Sequence, residues 1–97
     1  MTQRLLIDFY LKDQAGVDTL TAFMTSYGKD LVVEGYKEVE HYVNQDDPLH
    51  LVYMVEWTSR DRYDQAMTKM FANAEIATML EAVFADQPRN IWLRKTD

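Results

Sequence analysis

The segment 49–57, LHLVYMVEW, constrains the fold more than any other part of the chain. Read as a strand, it sends Leu51, Tyr53, Val55 and Trp57 to one face and Val52 and Met54 to the other. A strand that is apolar on both sides belongs between two layers. With 97 residues, 47% of them hydrophobic, the chain has material for a single modest core, so residues 1–97 are expected to form one domain. One sheet face is then covered by the chain's own helices, and the other requires something more.

The remaining periodicities supply the partners of that strand. Residues 4–12, RLLIDFYLK, alternate Leu5, Ile7, Phe9 and Leu11 against Leu6, Asp8, Tyr10 and Lys12. Gly16 is read as punctuation, after which Val17, Leu20, Met24, Tyr27 and Leu31 mark one stripe of a helix. Beyond Gly35, residues 36–43 read as a second strand, with Val39, His41 and Val43 opposite Glu38, Glu40 and Tyr42, and 44–48 (NQDDP) as the turn that ends it. Thr58 or Ser59 is placed to cap a helix carrying Tyr63, Met67, Met70 and Phe71. Asn73 interrupts it, a further helix presents Ile76, Met79, Leu80 and Val83, and 91–93 closes as a strand. The order βαββαβ predicts an α+β, ferredoxin-like fold: a four-stranded antiparallel sheet with the helices on one face. The bare face would expose roughly five large apolar side chains, each worth about 1.5–3 kcal/mol when buried, and the expectation is that a second copy of the chain covers it.

Composition removes several functions. Without cysteine there is neither a disulfide framework nor a thiolate nucleophile, and a zinc site would have to rest on two histidines and carboxylates. A net charge of −6, with scattered Lys and Arg, repels a phosphate backbone, so no nucleic acid is expected. The first residues run straight into a strand, and no apolar run is long enough for a membrane span, which gives the expectation of a cytoplasmic protein with no membrane partner.

Gly16, Gly35 and Pro48, together with Trp57-Thr58-Ser59 followed by Tyr63, carry a resemblance over nearly the whole chain. In this order and spacing they resemble the antibiotic biosynthesis monooxygenase-like family. The resemblance implies a homodimer whose two sheets close into a dimeric α+β barrel. It also implies oxygenation of phenols, quinols or polyketide anthrones without metal, flavin or other cofactor. Two departures accompany it: Ala66 and Met67 stand where many members have a helix histidine, which disfavours the haem-degrading branch, and Val55 stands where many have a glutamate.

Such chemistry requires an apolar pocket and a base, since a deprotonated substrate passes an electron to oxygen more readily. Asp8 and His41 are the candidate bases; Tyr10, Tyr53, Trp57, Tyr63 and Met67 are candidates for lining the pocket. Asp8 is expected on a strand face beside Tyr53 and Trp57. His41 shares a face with Val39 and Val43 and reads as a histidine hydrogen-bonded in or beside the core sooner than as a base. His50 is expected in solvent, Glu38 and Glu40 on one solvated face, and His41 on the face opposite them, which makes that trio a poor metal site. Three functions remain on this reading: a monooxygenase, a non-catalytic small-molecule binding or sensing dimer, and an isomerase or lyase using the same base without oxygen.

Overall fold

In the structure, a computed structural model that describes residues 2–96, the elements run β1 (Gln3–Tyr10), α1 (Gln14–Val33), β2 (Tyr36–Asn44), β3 (Asp47–Trp57), α2 (Arg60–Phe71), α3 (Ala74–Val83) and β4 (Arg89–Leu93). The four strands form one antiparallel sheet in the order β2-β3-β1-β4. The expected βαββαβ order and ferredoxin-like α+β class are therefore those observed.

Local chemistry sets the ends of the helices. Asp13, not Gly16, begins α1: its side chain accepts from the Gly16 N–H at 2.7 Å, and Gly16 lies inside the first turn instead of punctuating the chain. Ser59 caps α2 by accepting from the Arg62 N–H at 3.1 Å, and Asn73 caps α3 through Glu75 and Ile76. The turn expected over 44–48 is shorter, since β2 extends to Asn44 and β3 already begins at Asp47. Pro48 is admitted there because β1 first pairs with β3 at His50, so its missing N–H is asked for nothing on that side. Gly35, at φ +104°, closes the α1–β2 connection where an added Cβ would run into the Thr58 side chain.

Registers decide which side chains share a face. Leu5, Ile7 and Phe9 lie opposite Val55, Tyr53 and Leu51, and this face carries the helices. Leu51, Tyr53, Val55 and Trp57 are all at most 7% exposed and form the core with Leu5, Phe9, Leu20, Leu31 and Leu80. These four β3 side chains lie under this chain's own helices, so it is not they that a partner's sheet would meet. The reason is bulk, because Phe9, Tyr53 and Trp57 give this face more apolar area to bury than Val52 and Met54 give the other. The outward face of the sheet is instead built from Leu6, Asp8, Tyr10, Tyr42, His50, Val52, Met54, Ile91 and Leu93. No helix among the described residues is long and apolar enough to cross a membrane.

Candidate functional site

A cavity of about 240 Å³ opens between the helix-facing side of the sheet and the three helices. Its walls are Phe23, Met24 and Leu20 from α1, Tyr63, Met67 and Met70 from α2, and Ile7, Tyr36 and Trp57 from the sheet. The size is instructive: an apolar cavity of ~150 Å³ takes benzene, so this one suits a molecule of one or two rings. Trp57 and Tyr63 meet edge to face at 5.5 Å between ring centres, and Tyr63 meets Trp92 in the same way at 5.2 Å. Such an arrangement fixes both rings and leaves a slot rather than a collapsed core.

Polarity is confined to the rim of this cavity. Asn90, brought opposite Ile7 by the β1–β4 register, donates its amide N–H to the Tyr63 hydroxyl oxygen. With its oxygen accepting from Asn90, Tyr63 has its own O–H to give to a bound molecule. Burial pushes the Tyr63 phenol above its ordinary value, only partly offset by the bond from Asn90, so it stays a donor at neutral pH. Gln87 and Pro88 complete the mouth. Among the lining residues there is no carboxylate, histidine, lysine or arginine.

The seven residues singled out in the sequence divide between three places. Trp57, Tyr63 and Met67 line the cavity together. Tyr53 and His41 lie beyond it, in a more polar groove between α1 and β2, with their rings stacked at 3.8 Å. Asp8 and Tyr10 are on the opposite face of the sheet. The expected position of Asp8 beside Tyr53 and Trp57 is corrected, because Asp8 pairs in register with Val52 and so points away from both.

On that outward face Asp8 has a partner that periodicity alone does not reveal. His50, expected in solvent, is largely buried, with Nε2 at 2.8 Å from Asp8 Oδ1. Its Nδ1 is 3.0 Å from Asn44 Nδ2, which can only donate. One ring nitrogen thus meets the Asn44 amide and the other the Asp8 carboxylate. Tyr10 stacks on the ring at 4.4 Å. Both ring nitrogens are thus engaged, and the cluster ties the β2–β3 hairpin to β1.

A bulge in β2 produces the other correction. The β2–β3 register shifts between Glu38 and Glu40, so Val39 is the extra residue. Glu38 and Glu40 no longer share a face, whereas Glu38 and His41 now do, with His41 Nε2 3.6 Å from Glu38 Oε2. Tyr36 Oη donates to Glu38 Oε1 at 3.3 Å. Burial first, and the charge and hydrogen bond of Glu38 after it, hold the Tyr36 phenol far above its usual range. Burial likewise raises Tyr53, against a bond from Thr21 that lowers it. Tyr36, Glu38 and Asn90 were not singled out as site residues: regular alternation put Glu38 on a solvated face, and Asn90 lay outside the strand expected over 91–93, whereas β4 begins at Arg89. No group of three or more potential metal ligands occurs among the described residues.

The geometry is thus a ferredoxin-like sheet with a ring-lined cavity beneath its helices. No family profile matches the sequence, and no curated protein does. Solved structures do match over nearly the full length of both chains. A crystal structure of an antibiotic biosynthesis monooxygenase is 18% identical, covers 100% of each chain and has a TM-score of 0.72. SnoaB, a cofactor-independent oxygenase from Streptomyces nogalater, is 17% identical over 98% of this chain and 95% of its own, with a TM-score of 0.65. A NIPSNAP family protein from Agrobacterium tumefaciens is 14% identical over 100% and 95%, with a TM-score of 0.69. The fold is that of the antibiotic biosynthesis monooxygenase-like structures, as the sequence marks around Trp57 imply.

Proposed function

We propose that the chain acts as a homodimer that binds an uncharged molecule of one or two aromatic rings in the cavity between sheet and helices and oxygenates it without a cofactor. The cavity itself carries this reading: it is apolar, ring-walled, and polar only where Tyr63 and Asn90 meet. A quinol or small phenolic ketone would lie against Trp57 and Met67 with its oxygen toward the Tyr63 O–H. That donor strengthens as negative charge develops on the substrate oxygen. Once the substrate has given up its proton, the electron-rich anion passes an electron to dioxygen, the two radicals join in a C–O bond, and the returning proton lets the O–O bond break with loss of water, so that dioxygen is reduced as the ring is oxidised. The likeness to SnoaB, an oxygenase, supports the chemistry through the fold.

The outward face supports the homodimer. Tyr42 is 51% exposed, Ile91 48% and Leu93 36%, and they continue the apolar surface of Leu6, Val52 and Met54. Closing this face against its own copy removes it from water. Oxygen uptake measured with a panel of benzoquinols, naphthoquinols and anthrones tests the activity. Uptake with the one- and two-ring compounds is expected; tight binding of these compounds with no uptake would overturn the oxygenase.

One observation favours a second reading, in which the dimer binds the same class of molecule without turning it over: no ionisable base lines the cavity. Binding unchanged with and without oxygen, and no product from any compound, is the outcome that reading expects.

A further inference from the structure

The cavity lacks a proton acceptor on its walls, yet one stands directly behind them. Tyr36 lines both the apolar cavity and the polar groove between α1 and β2, so it is shared by the two spaces. On the groove side its hydroxyl bonds the Glu38 carboxylate, and Glu38 in turn faces His41. The Val39 bulge makes this chain of groups possible, since regular alternation would send Glu38 and His41 to opposite faces. Gly28 on α1 leaves room beside it: a Cβ there would stand 3.7 Å from Glu38 Oε1. The remaining charged groups of the groove are Lys29 from α1 and Lys37 from β2, with the Tyr53 phenol from β3 below His41.

We infer that Glu38 is the proton acceptor for a molecule bound in the cavity, reached through the Tyr36 phenol. The step rests on the proposed use of the cavity. An acidic O–H, or a C–H next to a carbonyl, gives its proton to Tyr36 Oη while the Tyr36 proton moves to Glu38 Oε1. The substrate keeps the bonding electron pair as an enolate or phenolate. Glu38 afterwards gives its proton to the groove, where His41 stands. Because burial and Glu38 both disfavour a Tyr36 phenolate, the two transfers are concerted rather than sequential. Tyr36 touches the substrate; Glu38 acts only through it.

Proton abstraction can be measured without oxygen. Anaerobic exchange of the acidic C–H of 2-tetralone, a two-ring ketone, in heavy water is followed by NMR, and binding is followed separately by tryptophan fluorescence. The protein is expected to accelerate exchange over buffer, with a rate that rises through a carboxylate ionisation. Tyr36→Phe and Glu38→Gln should each lower the rate by roughly 10²-fold while binding is kept. Glu38→Gln should also flatten the pH profile, and Glu38→Asp should restore part of both. Asp8→Asn, on the other sheet face, should change neither. Exchange unaffected by Glu38→Gln in protein that still binds tetralone overturns the relay and leaves the cavity reading standing. No binding of tetralone overturns both.

Discussion

The two faces of the sheet are both apolar, and they differ in what accompanies the hydrocarbon. The helix-covered face holds Leu5, Val55 and Trp57 at no more than 2% exposure, its buried polar groups are phenols whose protons burial retains, and its charged groups, Glu38 and His41, stand at the exposed edge of the β2 groove. Side chains on the outward face are only partly shielded, and its centre is an ion-pair-like cluster of Asp8, His50 and Asn44. An Arg4–Glu56 pair at 3.0 Å lies at its margin, where bonds from Thr2 and Arg4 hold the Glu56 carboxyl below its usual range. Hydrocarbon without charge makes a core and a ligand slot, whereas hydrocarbon around a few well-paired polar groups makes a surface that tolerates water until a partner arrives.

Substitutions break this comparison where it is strongest first. Trp57→Ala removes a ring that is both core and cavity wall, and should cost about 3–5 kcal/mol in urea unfolding, with loss of ligand binding. Gly35→Ala forces a side chain into a left-handed backbone against Thr58, and should cost roughly 1–3 kcal/mol in the same measurement. On the outward face Asp8→Ala leaves the His50 Nε2–H without its acceptor, worth about 1–3 kcal/mol, with no loss of ligand affinity. Ile91→Ser, in contrast, should leave the unfolding of the isolated chain within about 0.5 kcal/mol and act only on dimer content by light scattering.

Alkaline titration separates the faces in another way. The tyrosines with raised phenols, Tyr36, Tyr53 and Tyr63, all belong to the helix-covered face. In the unfolded chain they ionise near their ordinary value of about 10. The folded state binds more protons above that pH, so their contribution is complete below about pH 10 and is lost as pH rises beyond it. The urea midpoint should therefore fall between about pH 10 and pH 11, and Tyr63→Phe should make that fall shallower. An unchanged slope in Tyr63→Phe would show that its phenol titrates as though solvated.

Much of the fold was legible because the periods of strand and helix survive in the sequence: all four strands and the three helices occur in the expected order, although β1 stops at Tyr10 instead of Lys12 and β4 begins at Arg89 instead of Ile91. Which face the helices choose was not, because both sides of β3 are apolar and the decision rests on Phe9, which is brought beside Leu51 only by pairing. The same applies to Asp8 and His50, 42 residues apart, whose bond depends on a register that no local pattern encodes. The Val39 bulge left no mark in composition, and alternation therefore assigned Glu38 and His41 to opposite faces. Of the site, the contiguous Trp57, Tyr63 and Met67 were readable from strand end to helix; Asn90 and Tyr36 required the sheet to close.

The claim on which the rest depends is that the cavity beneath the helices, and not the outward face, receives the small molecule. A crystal structure of the protein soaked with 2-naphthol addresses it directly. Ring density is expected between Trp57 and Met67, with the hydroxyl at the Tyr63–Asn90 pair. Density on the outward face beside Asp8 and His50, or none in the cavity at saturating 2-naphthol, would contradict it.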